Sequence, residues 1–189
     1  NSWCIGNVTS MRYLFSVKQT FNEDISGWDT SRVTSMEGTF SGASLFSGNQ
    51  IEFWNVSSVT NMKETFLAAS SFDANLSQWE VSSVTTMREM FNRAYTFEGK
   101  GLENWITSFT TDMGQTFKSA TSFSGNISAW DVSGVSSMYE TFHGAKSFNT
   151  ELSSWQVSRV TSVSNGDVFF FVYYYVSRTY LLLFSSRCT

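Results

Sequence analysis

The sequence predicts an α/β solenoid of about seven coils of 25–26 residues, each combining a short parallel strand with a short capped helix. The first observation is the spacing of the tryptophans, which lie 25, 26, 25, 26, 25 and 25 residues apart: Trp3, Trp28, Trp54, Trp79, Trp105, Trp130 and Trp155. The second is a recurring methionine and two phenylalanines at fixed distances after the first six tryptophans, as in Met87, Phe91 and Phe97. A fixed period of about 20–50 residues is the sequence signature of a stacked-repeat protein. Because the aromatic residues recur at these fixed positions, they are expected to form buried columns in the core.

The strand of each coil is predicted around its tryptophan. Coils are numbered 1 to 7 by their tryptophans, and positions by their distance from that residue, so that Val81 is position +2 of coil 4. Position +2 holds Ile, Val or Thr, and alternate residues of an extended chain share one face. A strand of about three or four residues is therefore expected, stable only when it pairs with neighbouring coils. The serine at position +3 in six of the seven coils is expected to hydrogen-bond the backbone of a tight bend and its counterparts in neighbouring coils.

The helix is predicted to start at position +7. That position always carries a short polar side chain suited to an N-cap: Ser10, Ser35, Asn61, Thr86, Asp112, Ser137 and Ser162. Three residues later, Glu or Gln completes a capping box in four coils: Glu64, Glu89, Gln115 and Glu140. Met87, Phe91 and Ala94 follow the i, i+4, i+7 spacing of one apolar helix face.

Two features depart from the regular repeat. The coils of 26 residues are expected to place the extra residue in the return before the next tryptophan, where Gly, Asn and Asp provide turn chemistry. In coil 5, Thr107 and Thr110 stand where valine is usual, with Ile106 and Phe109 each one residue out of register. A local rotation of the bend is therefore expected there.

The chain is expected to divide into a repeat region, 1–163, and a non-repeat hydrophobic tail, 164–189. The tail is interpreted as an end cap of the stack or as an unrelated, mis-spliced segment. A membrane anchor is disfavoured, though left open, because the apolar run is short and contains Arg178.

Cys4 and Cys188 stand near opposite ends of a linear array, so a bridge between them is not expected. Because the sequence begins within a repeat, we expect a fragment that lacks its targeting signal.

The repeat resembles a known family. The segment from Asn126 to Met138, followed by Phe142, Ala145 and Phe148, is similar to the BspA-like, leucine-rich-repeat-related surface proteins. It resembles in particular the mycoplasma-type (DUF285-like) repeat of about 25 residues. The resemblance covers nearly all of residues 1–163 and implies a right-handed, leucine-rich-repeat-like α/β solenoid in a cell-surface or secreted protein used in adhesion and partner binding.

Composition and motifs disfavour several functional classes. The net charge is −4, with 15% charged residues, so there is no basic footprint for nucleic acid. The single histidine, His143, lies at a variable position and is expected to be a solvated surface residue and not a catalytic base. No spacing of His and Cys suggests a metal site, and no glycine loop suggests a bound cofactor. A non-enzymatic protein without cofactor or metal is therefore expected.

The candidate partner-binding residues occupy position +1, which should point to the outer side of the predicted sheet. They are variable and partly acidic: Asp29, Asn55, Glu80, Ile106, Asp131 and Gln156. Variable surface columns are where stacked-repeat proteins commonly bind partners, although the same positions can be merely solvated. A protein or surface ligand is the expected partner, and an acidic column favours a basic one or weakly bound divalent cations.

An alternative function comes from position +6. It carries a hydroxyl in every coil: Thr9, Thr34, Thr60, Thr85, Thr111, Ser136 and Thr161. A regular hydroxyl array can order water, which would suit an ice- or surface-binding solenoid. Capping of the predicted helix also explains these residues, so the recognition module is favoured.

Overall fold

Consecutive coils lie one upon the next in the computed structural model, which describes residues 6–49 and 51–163. Parallel bridges connect position +7 of each coil to position +7 of the following coil. They pair Ser10 with Ser35, Ser35 with Asn61, Asn61 with Thr86, Thr86 with Asp112, Asp112 with Ser137, and Ser137 with Ser162. The tail 164–189, Trp3 and both cysteines lie outside the described residues.

The predicted right-handed, leucine-rich-repeat-like α/β solenoid is wrong in its secondary structure. Residues 6–49 and 51–163 contain no α-helix and no strand longer than an isolated bridge. Their single helical element is a three-residue 3-10 helix, Ile51–Phe53. The coils are instead built from successive turns, whose hydrogen bonds run within a coil and between coils.

The predicted helix is replaced by a ribbon of turns over positions +8 to +14. In coil 4, the N–H of Met87 donates to the oxygen of Asp112 in the next coil at 3.0 Å, and Phe91 donates to Thr116 at 2.9 Å. Glu89 also donates to the next coil, to the oxygen of Gly114 at 2.9 Å, whereas Met90 donates within the coil to the oxygen of Met87 at 3.0 Å. An α-helix would direct these N–H groups to the carbonyl four residues back. Here most of them donate to the next coil instead, so the hydrogen bonds that define an α-helix are not formed.

Two left-handed residues in each of coils 1 to 6 enforce this ribbon. Positions +10 and +14 have positive φ, 57° at Glu89 and 59° at Arg93 in coil 4. That conformation costs an L-residue about 1–2 kcal/mol and cannot continue a right-handed helix. Coil 2 has glycine at both positions, Gly38 and Gly42, which is the residue that accepts positive φ without strain.

The predicted caps have a different role. Asn61 Oδ1 accepts from the N–H of Lys63 at 2.9 Å, and Asp112 Oδ1 accepts from Gly114 at 2.9 Å. These short turns hold the bridge position in place without a helix to cap. The predicted capping box is also wrong, because its Glu and Gln residues occupy the left-handed position +10.

Turns also replace the predicted strand around each tryptophan. The N–H of Trp79 donates to the oxygen of Leu76 at 3.0 Å, and the N–H of Val84 donates to that of Val81 at 2.9 Å. Both bonds are local, so this segment does not pair with its neighbours as a sheet.

Aromatic columns form the core. The rings of Phe66 and Phe91, at position +12 of neighbouring coils, are 5.7 Å apart with an interplanar angle of 11°. Within a coil, Phe66 also stacks on Phe72 at 3.8 Å. Five tryptophans are at most 4% exposed: Trp54, Trp79, Trp105, Trp130 and Trp155. The buried indole and phenyl columns expected from the repeat are thus confirmed, with Trp28 partly buried.

The extra residue of the longer coils lies in the returns, as expected. In coil 2 the extra residue lies between Phe46 and Ile51, just before the 3-10 helix Ile51–Phe53 that leads to Trp54. In the return before Trp105, Gly99 and Gly101 have φ of 88° and 84°. These loops absorb the insertion without shifting the aromatic columns.

Candidate recognition surface

The six candidate partner-binding residues are all exposed. Each lies between the tryptophan and the residue at position +2, which both point inward. Trp79 and Val81, for example, are 3% and 1% exposed on either side of Glu80. The position that varies in sequence is therefore accessible, while the two positions flanking it are fixed by the core.

Several of these residues are also part of the bend that carries them. Asp29 Oδ1 accepts from the N–H of Ser31 at 3.1 Å and from its hydroxyl at 2.6 Å. Asn55 makes the same pair of bonds to Ser57 at 3.1 and 2.7 Å. The serine at position +3 thus bonds the side chain at position +1, a partner that the sequence pattern did not predict. The bend holds that side chain in a defined orientation.

These serines keep two of the carboxylates ionised to lower pH. The hydroxyl and then the N–H of Ser31 lower the pKa of Asp29 below its usual value, because both donate to the charged form. The hydroxyl and N–H of Ser133 lower the pKa of Asp131 in the same way. The surface accordingly keeps its negative charge under mildly acidic conditions.

Coil 5 keeps the register of the other coils, and the expected rotation of its bend is wrong. Thr107 and Thr110 point inward at 1% and 0% exposure, in the places that valine takes elsewhere. Their hydroxyls donate to the main-chain oxygens of Asp131 at 2.9 Å and Val84 at 3.1 Å. Ile106 and Phe109 remain outside at 60% and 67% exposure.

The sequence pattern did not indicate that Phe109 is a surface residue. It lies at position +4, where the neighbouring coils carry Ser83 and Gly134. The sequence signal for its exposure was the spacing of Trp105 and Met113, which is the same as in the other coils. Because both residues are buried, they fix the register of the residues between them. Ile106 and Phe109 thus form an apolar pair on an otherwise polar pair of columns.

Acidic residues surround this pair. Positions −3 to +6 of coils 3 to 6 contain no lysine or arginine, and their charged residues are Glu52, Glu80, Glu103 and Asp131. A shallow depression of about 250 Å³ adjoins Ile106 and is lined by residues 77–82 of coil 4 together with Asn104. An apolar contact point, a depression and negative charge therefore occur side by side.

The hydroxyl column at position +6 is exposed and uniform. Each hydroxyl from coil 2 onward donates to the main-chain oxygen at position +6 of the preceding coil, as Thr85 does to Thr60 at 3.0 Å and Thr111 to Thr85 at 3.2 Å. Because residues 6–49 and 51–163 form no α-helix, helix capping does not explain these hydroxyls. Their hydrogen bonds instead connect each coil to the preceding one.

Other features of the described part of the chain provide no further site. His143 is exposed. Residues 6–49 and 51–163 contain no group of three or more His, Cys, Asp or Glu side chains placed to hold a metal ion. The same residues include no helix with the length and apolar character needed to span a membrane.

Comparison with known proteins identifies the family of the chain. No curated protein and no solved structure matches it significantly. The family described as "Mycoplasma protein of unknown function, DUF285" matches twice, over residues 1–105 and 95–169. Together the two matches cover most of the sequence, in agreement with the repeat resemblance. The chain therefore belongs to the DUF285 family of mycoplasma proteins.

Proposed function

We propose that this protein is a non-enzymatic recognition or adhesion module, displayed on the cell surface or secreted, that binds a basic protein or surface ligand. The observation that carries the proposal is the exposed column at position +1, which varies from coil to coil on a repetitive framework. Side chains held at regular intervals on a rigid support are suited to an extended ligand.

Charge supports a basic ligand. Asp29, Glu80 and Asp131 provide three negative charges in the column, and no member of it is basic. Complementary charge accelerates encounter and selects among partners, and its effect weakens as salt screens it. Binding through this column should therefore decrease as ionic strength rises.

A charge-neutralising variant tests the proposal. The triple variant Asp29→Asn, Glu80→Gln and Asp131→Asn introduces only residue types that this column already has in Asn55 and Gln156. Fluorescently labelled full chain is applied to an array of immobilised peptides that differ systematically in net charge. We expect the wild type to bind lysine- and arginine-rich peptides in a salt-dependent way and the triple variant to lose that binding.

A matched variant serves as the control. Glu23→Gln, Glu98→Gln and Glu151→Gln remove the same number of charges from exposed positions outside the column. Equal loss of binding in both triple variants, or no preference for basic peptides, would contradict the proposal. Labelling of intact cells with an antibody to the repeat region tests the surface location separately.

Ice or crystal-surface binding is the second candidate. The observation in its favour is the exposed hydroxyl column, whose side chains make the same bond in every coil from Thr34 to Thr161. Thermal hysteresis of the full chain in solution tests it. If freezing and melting temperatures coincide, this candidate is excluded.

A further inference from the structure

We propose that Ile106 and Phe109 of coil 5 are the anchor of the recognition surface, and that they bind a partner segment in which an apolar side chain is flanked by lysine or arginine. This inference rests on the proposed function and specifies the part of the surface where binding is strongest and the chemistry that it selects.

Coil 5 is built in a way that stability alone does not favour. It buries two threonines, Thr107 and Thr110, and exposes an isoleucine and a phenylalanine. Each buried hydroxyl needs a hydrogen-bond partner, which the oxygens of Asp131 and Val84 provide. Val132 and Val135 fill the same two positions of coil 6 without that need. Because the threonines take the buried positions, the two large apolar side chains of Ile106 and Phe109 stay mostly exposed to solvent and contribute little buried apolar area.

The neighbours of the pair leave it accessible. At position +4, Phe109 is preceded by Ser83 and followed by Gly134, so small residues stand on both sides along the column. At position +1, Ile106 lies between Glu80 and Asp131. The depression next to Ile106 extends over residues 77–82 of coil 4. A partner side chain that lies over coil 4 or over coil 6 can therefore reach the apolar pair.

The chemistry of the partner follows from these surroundings. Aromatic residues are enriched among interface positions that contribute most to affinity, and a polar rim around them excludes water. The rim here is acidic, with Glu80, Glu103 and Asp131 and without a basic residue at positions −3 to +6 of coils 3 to 6. A partner with cationic residues beside its apolar side chain matches both parts, whereas an anionic partner is repelled.

The variant that tests the anchor uses residues already present in the same columns. Ile106→Asn reproduces Asn55, and Phe109→Ser reproduces Ser83. Because both side chains are mostly exposed, the double variant should fold as the wild type does, which its thermal denaturation verifies. The control variant, Tyr95→Ser with Leu45→Ser, removes an aromatic and an aliphatic residue that are 45% and 55% exposed at positions +16 and +17, outside this surface. Its replacements occur at the equivalent positions in Ser70 and Ser71.

Fluorescence anisotropy of the full chain with three synthetic peptides provides the readout. The first is lysine- and arginine-rich with a central tryptophan, the second has serine at the centre, and the third has the tryptophan flanked by glutamates. We expect the first to bind about tenfold or more tightly than the second, a difference typical of a central interface residue. The double variant should lose that difference, the control variant should retain it, and the third peptide should not bind.

The other outcomes separate the anchor from the wider proposal. Equal binding of the first two peptides, unchanged in the double variant, overturns the anchor and leaves the acidic recognition column standing. Binding of neither basic peptide overturns both. Equal binding of the glutamate-flanked peptide overturns the charge requirement. Self-association of the wild type in sedimentation, abolished in the double variant, overturns the proposal in favour of a second copy as the occupant.

Discussion

The indole Nε1 of Trp79 donates to the main-chain oxygen of Ile51 in the preceding coil at 2.9 Å. The same bond recurs along the stack, for example from Trp105 to Leu76 at 3.2 Å and from Trp130 to Leu102 at 2.8 Å. Tryptophan therefore does more than fill the core. It donates a second hydrogen bond to a carbonyl of the neighbouring coil, which already accepts from a main-chain N–H. Phenylalanine, which fills the other core columns, has no donor for that purpose.

Replacement of Trp79 should be strongly destabilising. Trp79→Ala leaves a cavity and is expected to cost about 3–5 kcal/mol. Trp79→Phe keeps most of the apolar surface but removes one of the two hydrogen bonds to the Ile51 oxygen, which also accepts from the N–H of Trp54 at 3.0 Å. This loss should cost about 0.5–1.5 kcal/mol. Chemical denaturation measures both, with exposed Glu80→Gln as the control, expected within about 0.5 kcal/mol of the wild type. A cost under 1 kcal/mol for Trp79→Ala would show that this indole is not part of the core.

Glycine at a left-handed position should stabilise the protein. Ala68 has a φ of 54°, and Gly42 and Gly144 occupy the same position of coils 2 and 6. Ala68→Gly relieves about 1–2 kcal/mol of strain and loses about 0.5–1 kcal/mol of chain entropy, for a net gain of about 0.5–1 kcal/mol. The adjacent Ala69→Gly is the control. Ala69 is fully buried, so its loss should destabilise by about 1–2 kcal/mol. The same sign for both in denaturant melts would contradict the prediction.

A side chain at Gly101 should not be tolerated. A Cβ there would lie 2.2 Å from the N atom of Ser77, and the φ of Gly101 is 84°. Gly101→Ala is therefore expected to cost more than about 2 kcal/mol, from overpacking and backbone strain together. Gly27 is a matched control, because nothing lies within 4 Å of its Cβ position. Thermal melting should show a large decrease only for Gly101→Ala. Similar melting of both variants would rule out this close contact.

Stability should decrease as the protein is acidified, in part through Glu140. Hydrogen bonds from Lys118 and then Gln115 lower the pKa of Glu140 below its usual value. A carboxylate with a lowered folded pKa contributes its full stabilisation above the unfolded value of about 4.3 and loses it as pH falls through the folded value. Urea denaturation between neutral and acidic pH should show a shallower dependence for Glu140→Gln, a residue that Gln115 shows to be accommodated at this position. Lys118→Met should flatten the profile as well, and an unchanged profile in both variants would contradict this role.

The sequence predicted the columns of the core but not the backbone that carries them. Tryptophan, methionine, phenylalanine and alanine recur at fixed distances, and periodic burial follows directly from that recurrence. The helix was mispredicted because Met87, Phe91 and Ala94 share the i, i+4, i+7 spacing with the inward positions of a turn ribbon. Gly38 and Gly42, four residues apart within the presumed helix, were the signal against it, since glycine disfavours a helix interior and accepts positive φ.

The recognition surface was predicted in part for a similar reason. The prediction that position +1 is exposed depended only on the alternation of inward and outward side chains around a buried tryptophan. That alternation occurs in a turn as well as in a strand. Phe109 was missed because an apolar residue beside a buried position suggests a shift of register. The hydrogen bonds of Thr107 and Thr110 to neighbouring coils hold the register instead, and such bonds between coils are not visible in one repeat of the sequence.

The ladder of main-chain bonds between positions +8 and +14 has a consequence for how such an array changes length during evolution. Each coil accepts from one neighbour the same main-chain hydrogen bonds that it donates to the other. Recombination between equivalent codons of two coils therefore removes or duplicates one complete unit. The new junction then has the same partners as the old one. Insertion of a single residue within the ladder would misalign every pair beyond it, whereas the returns before Trp54 and Trp105 already carry such insertions.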